Sequence, residues 1–182
     1  MNYEQLIQGN EAFIQKMKQQ KPDFFEELQK GQTPDFFVLS CSDSRSDPDT
    51  ITSSLPGKLF VHRNVANQVV EKDDSLRTGL YYAMRVLQIK GIIILGHTGC
   101  GGVQAARQGV SNEHLDDWLG HVETSIRGID ELQSDDHAHE RQNIRTQIEN
   151  IKELPVYQDI GKGIPVLGAL FHLENGKIEW ID

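Results

Sequence analysis

The pattern that most narrows the fold is the alternation of very short apolar runs with longer amphipathic stretches. Phe36-Phe37-Val38-Leu39, Leu59-Phe60-Val61 and Ile92-Ile93-Ile94-Leu95 are too short for helices and apolar throughout, as strands buried on both faces must be. Asp74-Ser75 caps a helix predicted to run to about Gln88, and a Gly-rich turn from His97 to Gly102 leads into another helix that Gly109 ends. Ile164 to Leu173 reads as a longer strand broken at Gly168, and Glu174-Asn175-Gly176 turns it into a last strand, Lys177 to Ile181. Strands alternating with helices predict an α/β fold. The expected architecture is an open, mostly parallel sheet, with four parallel strands, one antiparallel edge strand and helices on both faces.

The chain has 182 residues, within the ~100–200 usual for one domain. Residues 1–30 read as an N-terminal helical arm, with Leu6, Phe13 and Met17 at helical spacing and Pro22 opening a second short helix that Gly31 ends. Residues 35–110 form the core that carries the chemistry. Residues 111–153 are helical with a polar break around Ser134-Asp135-Asp136-His137, and residues 164–182 make the C-terminal hairpin.

Lys and Arg number 18 against 27 Asp and Glu, a net charge of −9. Ser111 to Glu153 alone holds 11 acidic and 4 basic residues, which reads as a solvated helical surface. No basic face is available to displace counterions from a nucleic acid. The longest apolar run, Ile92 to Leu95, falls far short of the ~20 residues of a membrane span. The opening Met1-Asn2-Tyr3-Glu4-Gln5 lacks the basic flank and apolar core of a signal peptide, so the cytoplasm is the expected compartment.

Only two cysteines occur, Cys41 and Cys100, too few for a disulfide scaffold. Cys41 follows the first strand, His97 follows the third, and Cys100 starts the next helix. Ligands in open parallel sheets gather beyond the carboxyl ends of the strands. Two thiolates and an imidazole match a zinc site with three protein ligands and an open fourth position. Spacing alone is equally compatible with two buried thiols and a core histidine; the polar Gly/Ser turns at the strand ends favour the metal reading.

Three segments carry a family resemblance: Cys41-Ser42-Asp43-Ser44-Arg45, Phe60-Val61-His62-Arg63-Asn64-Val65-Ala66-Asn67 and Gly96-His97-Thr98-Gly99-Cys100-Gly101-Gly102. From about Gln32 to Val103 the sequence resembles the β-class carbonic anhydrases. The resemblance implies one Zn2+ per chain held by Cys41, His97 and Cys100, with Asp43 and Arg45 as a catalytic dyad. The implied activity is reversible hydration of CO2 to bicarbonate and a proton, through zinc-bound hydroxide oriented by Asp43. Gln32, Phe60, Val65, Tyr82 and the Gly101 backbone N–H match substrate-pocket positions, in a pocket that straddles the interface of a homodimer or a tetramer built from dimers. If Arg45 lets go, the resemblance further implies a closed form with Asp43 as fourth ligand.

Zinc with two thiolates and a neutral imidazole carries no net charge. Three-histidine carbonic anhydrases, whose bound water ionises near pH ~7, carry two positive charges more. Thiolate donation predicts a higher water pKa and a rate that climbs into mildly alkaline pH.

Some positions depart from the family pattern. Ser46-Asp47-Pro48 follows Arg45 where many members have an apolar residue, which bears on how firmly Arg45 is held. A regulatory bicarbonate site of some members uses a Trp, an Arg and a Tyr; the matching residues here are Val38, Arg63 and Phe171. The expected chain also stops short of the helical tail of longer members. Two alternatives stay open: a hydrolase of carbonyl sulfide or carbon disulfide on the same scaffold, and a zinc-stabilised binding module without turnover. His137 and His139 suggest a second metal site, although their acidic surroundings read more simply as solvated surface; His62 reads as packing.

Overall fold

The computed structural model describes residues 1–129 and 135–181. The Ser134 side of the expected polar break therefore lies outside the described residues. The chain divides into two compact units, Met1–Gln32 and Thr33–Asp182.

The N-terminal unit holds α1 (Tyr3–Gln20) and α2 (Phe24–Gln29). Asn2 and Gln5 close a reciprocal capping box at the start of α1, each side chain accepting from the other's backbone N–H at 2.8–2.9 Å. Phe13, Phe24 and Phe25 meet edge to face.

The second unit runs β1 (Phe36–Cys41), α3 (Pro48–Ile51), β2 (Leu59–Asn64), α4 (Asp74–Tyr81), β3 (Gly91–His97), α5 (Gly101–Arg107), α6 (Asp116–Ser125), α7 (Ala138–Glu153), α8 (Pro155–Ile160), β4 (Val166–Phe171) and β5 (Ile178–Ile181). The strands form one sheet in the order β2-β1-β3-β4-β5. The first four are parallel and β5 pairs antiparallel to β4, as the sequence pattern predicts. Phe37 and Leu39 of β1, Ile92 and Ile94 of β3 and Leu170 of β4 face Leu76 and Leu80 of α4 and Ile144, Ile148 and Ile151 of α7. The alternate residues Val38, Leu95, Ala169 and Phe171 form a second apolar cluster, against which Ile51 of α3 packs. Both faces of the sheet are apolar, which is why the strands read as unbroken runs.

Three local expectations need correction. Gly168 does not break β4; the strand passes straight through it. A Cβ there would lie 2.8 Å from Ile144 Cγ2 and 2.9 Å from Ile148 Cδ1, so the glycine admits α7 onto the sheet. Asp73, not Asp74, caps α4, its carboxylate accepting from the N–H groups of Ser75 and Leu76. The expected helix to Gln88 does continue beyond α4, but Tyr82–Leu87 is wound as a π-helical turn and ends on Gln88 in the left-handed region, φ 55°.

Candidate metal centre

β1 and β3 are paired in parallel, so the residues that end them emerge along the same edge of the sheet. Cys41 is the last residue of β1, His97 the last of β3, and Cys100 immediately precedes α5. Gly99, with φ +63°, supplies the left-handed residue that turns the chain between His97 and Cys100. Cys41, His97 and Cys100 are buried, and one donor atom from each lies within 4.8 Å of the others. The two sulfurs are 3.9 Å apart.

His97 Nδ1 lies 3.0 Å from the Thr98 carbonyl oxygen. A carbonyl only accepts, so Nδ1 carries the proton and Nε2 presents its lone pair. That Nε2 is buried and has no hydrogen-bond partner. Buried polar atoms are almost always satisfied, and a lone pair aimed at two sulfurs is satisfied by a cation.

Asp43 and Arg45 face each other in a two-pronged ion pair. Arg45 Nε donates to Asp43 Oδ1 at 2.9 Å, Nη2 to Oδ2 at 2.7 Å, and the Arg45 backbone N–H adds a third bond to Oδ1 at 2.9 Å. Asp43 Oδ2 is also 3.7 Å from His97 Nε2, which puts the carboxylate at the rim of the cluster. Arg63 braces the same turn from β2, donating to the Cys41 carbonyl at 3.0 Å, the Asp43 carbonyl at 2.7 Å and Asp47 Oδ2 at 3.1 Å. The residues that depart from the family pattern thus reinforce the turn: Ser46 Oγ donates to the Asp43 carbonyl, and Asp47 caps α3 while pairing with Arg63.

The ionisable groups report a concentration of negative charge. Hydrogen bonding from Cys100 pulls Cys41 toward the thiolate against the opposing effect of burial. Cys100 is pushed up by its bond to Cys41 and by burial, because two adjacent thiolates repel. Arg45 holds Asp43 below the ordinary carboxylate range. Two sulfurs, a carboxylate and an unpartnered imidazole nitrogen are a donor set that a zinc-class cation fits.

The remaining sequence candidates separate into groups. Val65 adjoins the cluster: its neighbour Ala66 donates its N–H to Cys41 Sγ at 3.4 Å, and Trp118 Nε1 donates to the Val65 carbonyl at 3.0 Å. Gly101 opens α5 with open space where a Cβ would stand. Phe60 and Tyr82 pack ring against ring with centroids 5.8 Å apart. Phe60 is in register with Phe37, four residues before Cys41 and so about 13 Å down the strand at ~3.3 Å per residue. Gln32 is exposed and closes the N-terminal unit. Val38 and Phe171 sit in an apolar cluster. His62 stacks on Phe37 at 6.5 Å, as packing predicts.

Sequence reading missed the support beneath the cluster. Ala66 and Asn67 both take positive φ, 60° and 48°. Asn143 Nδ2 and Gln68 Nε2 hold the Ala66 carbonyl at 3.0 and 2.8 Å, and Asn143 Oδ1 in turn accepts from Gln68, Ser125 and Gln147. The available signal was Asn143 and Gln147, four apart on the apolar face of α7 beside Ile144 and Ile148.

Comparison with known proteins agrees with this geometry. The family model described as carbonic anhydrase matches residues 36–178. The chain belongs to the β-class carbonic anhydrases. It is 32% identical to a carbonic anhydrase of Emericella nidulans over 97% of this chain and 82% of that one. A carbonic anhydrase of Synechococcus elongatus is 30% identical over 95% of this chain and 69% of that one. Among solved structures, one from a study of two tetrameric β-carbonic anhydrases of Sordaria macrospora superposes with a TM-score of 0.86 at 29% identity, covering 98% of this chain and 95% of that one. A Coccomyxa β-carbonic anhydrase in complex with acetazolamide gives 0.87 at 25% identity, covering 98% and 86%. The chain is therefore a carbonic anhydrase, and hydration of CO2 is the activity of its family.

Proposed function

We propose that this carbonic anhydrase holds one zinc ion between Cys41, His97 and Cys100 and hydrates CO2 with the Asp43–Arg45 pair as its orienting dyad. One observation carries the reading: the buried, unpartnered Nε2 of His97 faces two cysteine sulfurs beside an ionised carboxylate. When bound, zinc supplies a Lewis acid that makes a water molecule nucleophilic at mildly alkaline pH.

The chain's own residues do the rest. Asp43 Oδ2 accepts the hydrogen of the attacking oxygen and so points its lone pair at the incoming carbon. Arg45 keeps Asp43 ionised and fixed at two points. Arg63 clamps the peptide carbonyls of Cys41 and Asp43, so ligand and carboxylate keep their spacing. His97 is locked in one tautomer by the Thr98 carbonyl.

CO2 is small and apolar and needs a dry pocket with a single donor. Val65 and the Gly101 N–H serve from beside the cluster. Phe60 and Tyr82, displaced along the strand from Cys41, serve a second copy of the chain. A homodimer, or a tetramer built from two dimers, follows from that division, and the tetrameric Sordaria relatives support it. Among the described residues no helix is long and apolar enough to cross a membrane. A reducing compartment, the cytoplasm first, keeps two sulfurs 3.9 Å apart available to a metal.

CO2-hydration kinetics across pH, with metal content measured in the same samples, test the reading. Activity is expected to track bound zinc. An apo preparation as active as the zinc-loaded one ends the proposal.

A further inference from the structure

A second group of metal-binding side chains stands outside the Cys41–His97–Cys100 cluster. His137 precedes α7, while His172 and Glu174 lie in the turn between β4 and β5. One donor atom from each of the three lies within 4.8 Å of the others. Glu174 Oε1 is 2.7 Å from His172 Nδ1 and 3.8 Å from His137 Nε2. A tetrahedral ion with bonds of ~2.1 Å holds neighbouring donors about 3.4 Å apart. Setting these two gaps to that spacing takes changes of about 0.7 and about 0.4 Å.

We propose that His137, His172 and Glu174 form a second metal site, which takes one divalent ion of the zinc–nickel–copper class. Two imidazoles and one carboxylate suit these ions over calcium or magnesium, which take oxygen donors. The bland alternative is an ion-pair network in which His172 bridges two carboxylates and His137 merely lies alongside, its ring 5.6 Å from that of His172.

The groups behind His172 and Glu174 favour the site. His172 Nε2 is 2.8 Å from Glu179 Oε2, and Arg141 grips Glu179 at 2.8 and 2.9 Å with two nitrogens. A carboxylate on the far nitrogen of an imidazole fixes the ring and raises the basicity of its metal-facing nitrogen. Glu174 is also held from behind, its Oε2 accepting from Thr98 Oγ1 at 2.9 Å. Two of the three donors thus arrive oriented. An ion between them ties the first turn of α7 to the β4–β5 turn, and through Thr98 to the residue that follows His97. His139 is not one of the three donors: it is buried and, with His137, Val103 and Gln104, lines a cavity of ≈ 150 Å³.

The test titrates zinc-loaded protein with Ni2+ and with Zn2+, reading stoichiometry by calorimetry and by metal analysis after gel filtration. Wild type is expected to take one ion per chain beyond the one at the cysteines. His137→Ala is expected to lose that extra ion while keeping the first ion and CO2-hydration activity. Should His137→Ala fail to fold, His137→Gln makes the same comparison. Cobalt separates the sites, since only a cysteine-bound ion shows a sulfur-to-metal charge-transfer band. A Cys41→Ser chain is therefore expected to keep one cobalt without that band. Wild type saturating at one ion per chain, or a His137 variant that still takes two, overturns the proposal while leaving the catalytic reading intact.

Discussion

The backbone N–H of Ala66 points at the sulfur of Cys41 from 3.4 Å, and Ala66 does so from the left-handed region, at φ 60°. A non-glycine residue held there is under strain, and the Asn143 and Gln68 amides that clasp its carbonyl over-determine the turn. Asn143→Leu removes one clasp and takes from Ser125, Gln68 and Gln147 an acceptor that they share, leaving each with its second partner, the Val122 carbonyl, the Ala66 carbonyl and Gln68 Oε1. The expected loss is about 1–3 kcal/mol of stability, read by urea unfolding of the zinc-loaded protein. Zinc affinity is expected to fall as well, because the donor that steadies the Cys41 thiolate is no longer held. Unchanged unfolding and unchanged zinc affinity would contradict this account.

The Asp43–Arg45 pair predicts a separation of binding from turnover. Asp43→Asn keeps the shape of the side chain and removes the carboxylate that accepts the nucleophile's hydrogen. Zinc content is expected to stay at one per chain while kcat drops by about 10²-fold or more, the range typical for loss of a positioned proton acceptor. Arg45→Lys is expected to lose activity too, because an ammonium cannot reproduce the two-pronged grip at 2.9 and 2.7 Å. Zinc loss in Asp43→Asn would instead make Asp43 a structural residue.

The order and type of the strands were legible because the sheet is buried on both faces. Phe36 to Leu39 and Ile92 to Leu95 leave no polar side to confuse a strand with an amphipathic helix. The centre was legible because Cys41 and the His97–Cys100 turn fall at strand ends, and parallel pairing of β1 with β3 brings such ends together. What escaped depends on contacts distant in sequence. Glycine at 168 reads as a bend, yet it is a packing notch for Ile144 and Ile148, side chains on another element. Asn143 supports a loop 77 residues earlier, and nothing near either residue says so. His137 pairs with His172 across the fold, whereas local spacing suggests His139. The helices α3 and α8, four and six residues long, carry too few turns to show a period.

Glycines at two positions make opposite predictions. Gly168→Ala places a Cβ 2.8 Å from Ile144 Cγ2, 2.9 Å from Ile148 Cδ1 and 3.0 Å from Ile181 Cβ, all on packed elements that cannot swing aside. Overpacking of this kind costs about 1–3 kcal/mol. Gly120, in the middle of α6, has nothing within 4 Å of its Cβ position and takes no positive φ. Gly120→Ala is expected to stabilise by up to about 1 kcal/mol through the helix propensity of alanine. Thermal unfolding of the two variants beside wild type checks both signs, and a stabilised Gly168→Ala would show that α7 sits farther from the sheet.

The β4–β5 hairpin is tied to α7 by a charged network whose pH dependence has two limbs. Hydrogen bonds to Glu179 and then Glu174 raise His172 above its ordinary 6.5, so its share of stability is complete below pH 6.5 and fades as pH climbs through the raised value. Arg141, then His172, lowers Glu179 from 4.5 to about 2, so its share is complete above pH 4.5 and disappears as pH falls toward 2. The network is therefore strongest between about pH 4.5 and 6.5. Partial exposure of Glu179 screens the pair, which keeps the effect modest. Glu179→Gln removes the charge that both limbs share. Stability measured by urea unfolding from about pH 2 to 8, in buffer without added metal, is expected to fall less steeply on both sides in this variant than in wild type. Identical pH profiles for the two proteins would place the pH dependence elsewhere in the chain.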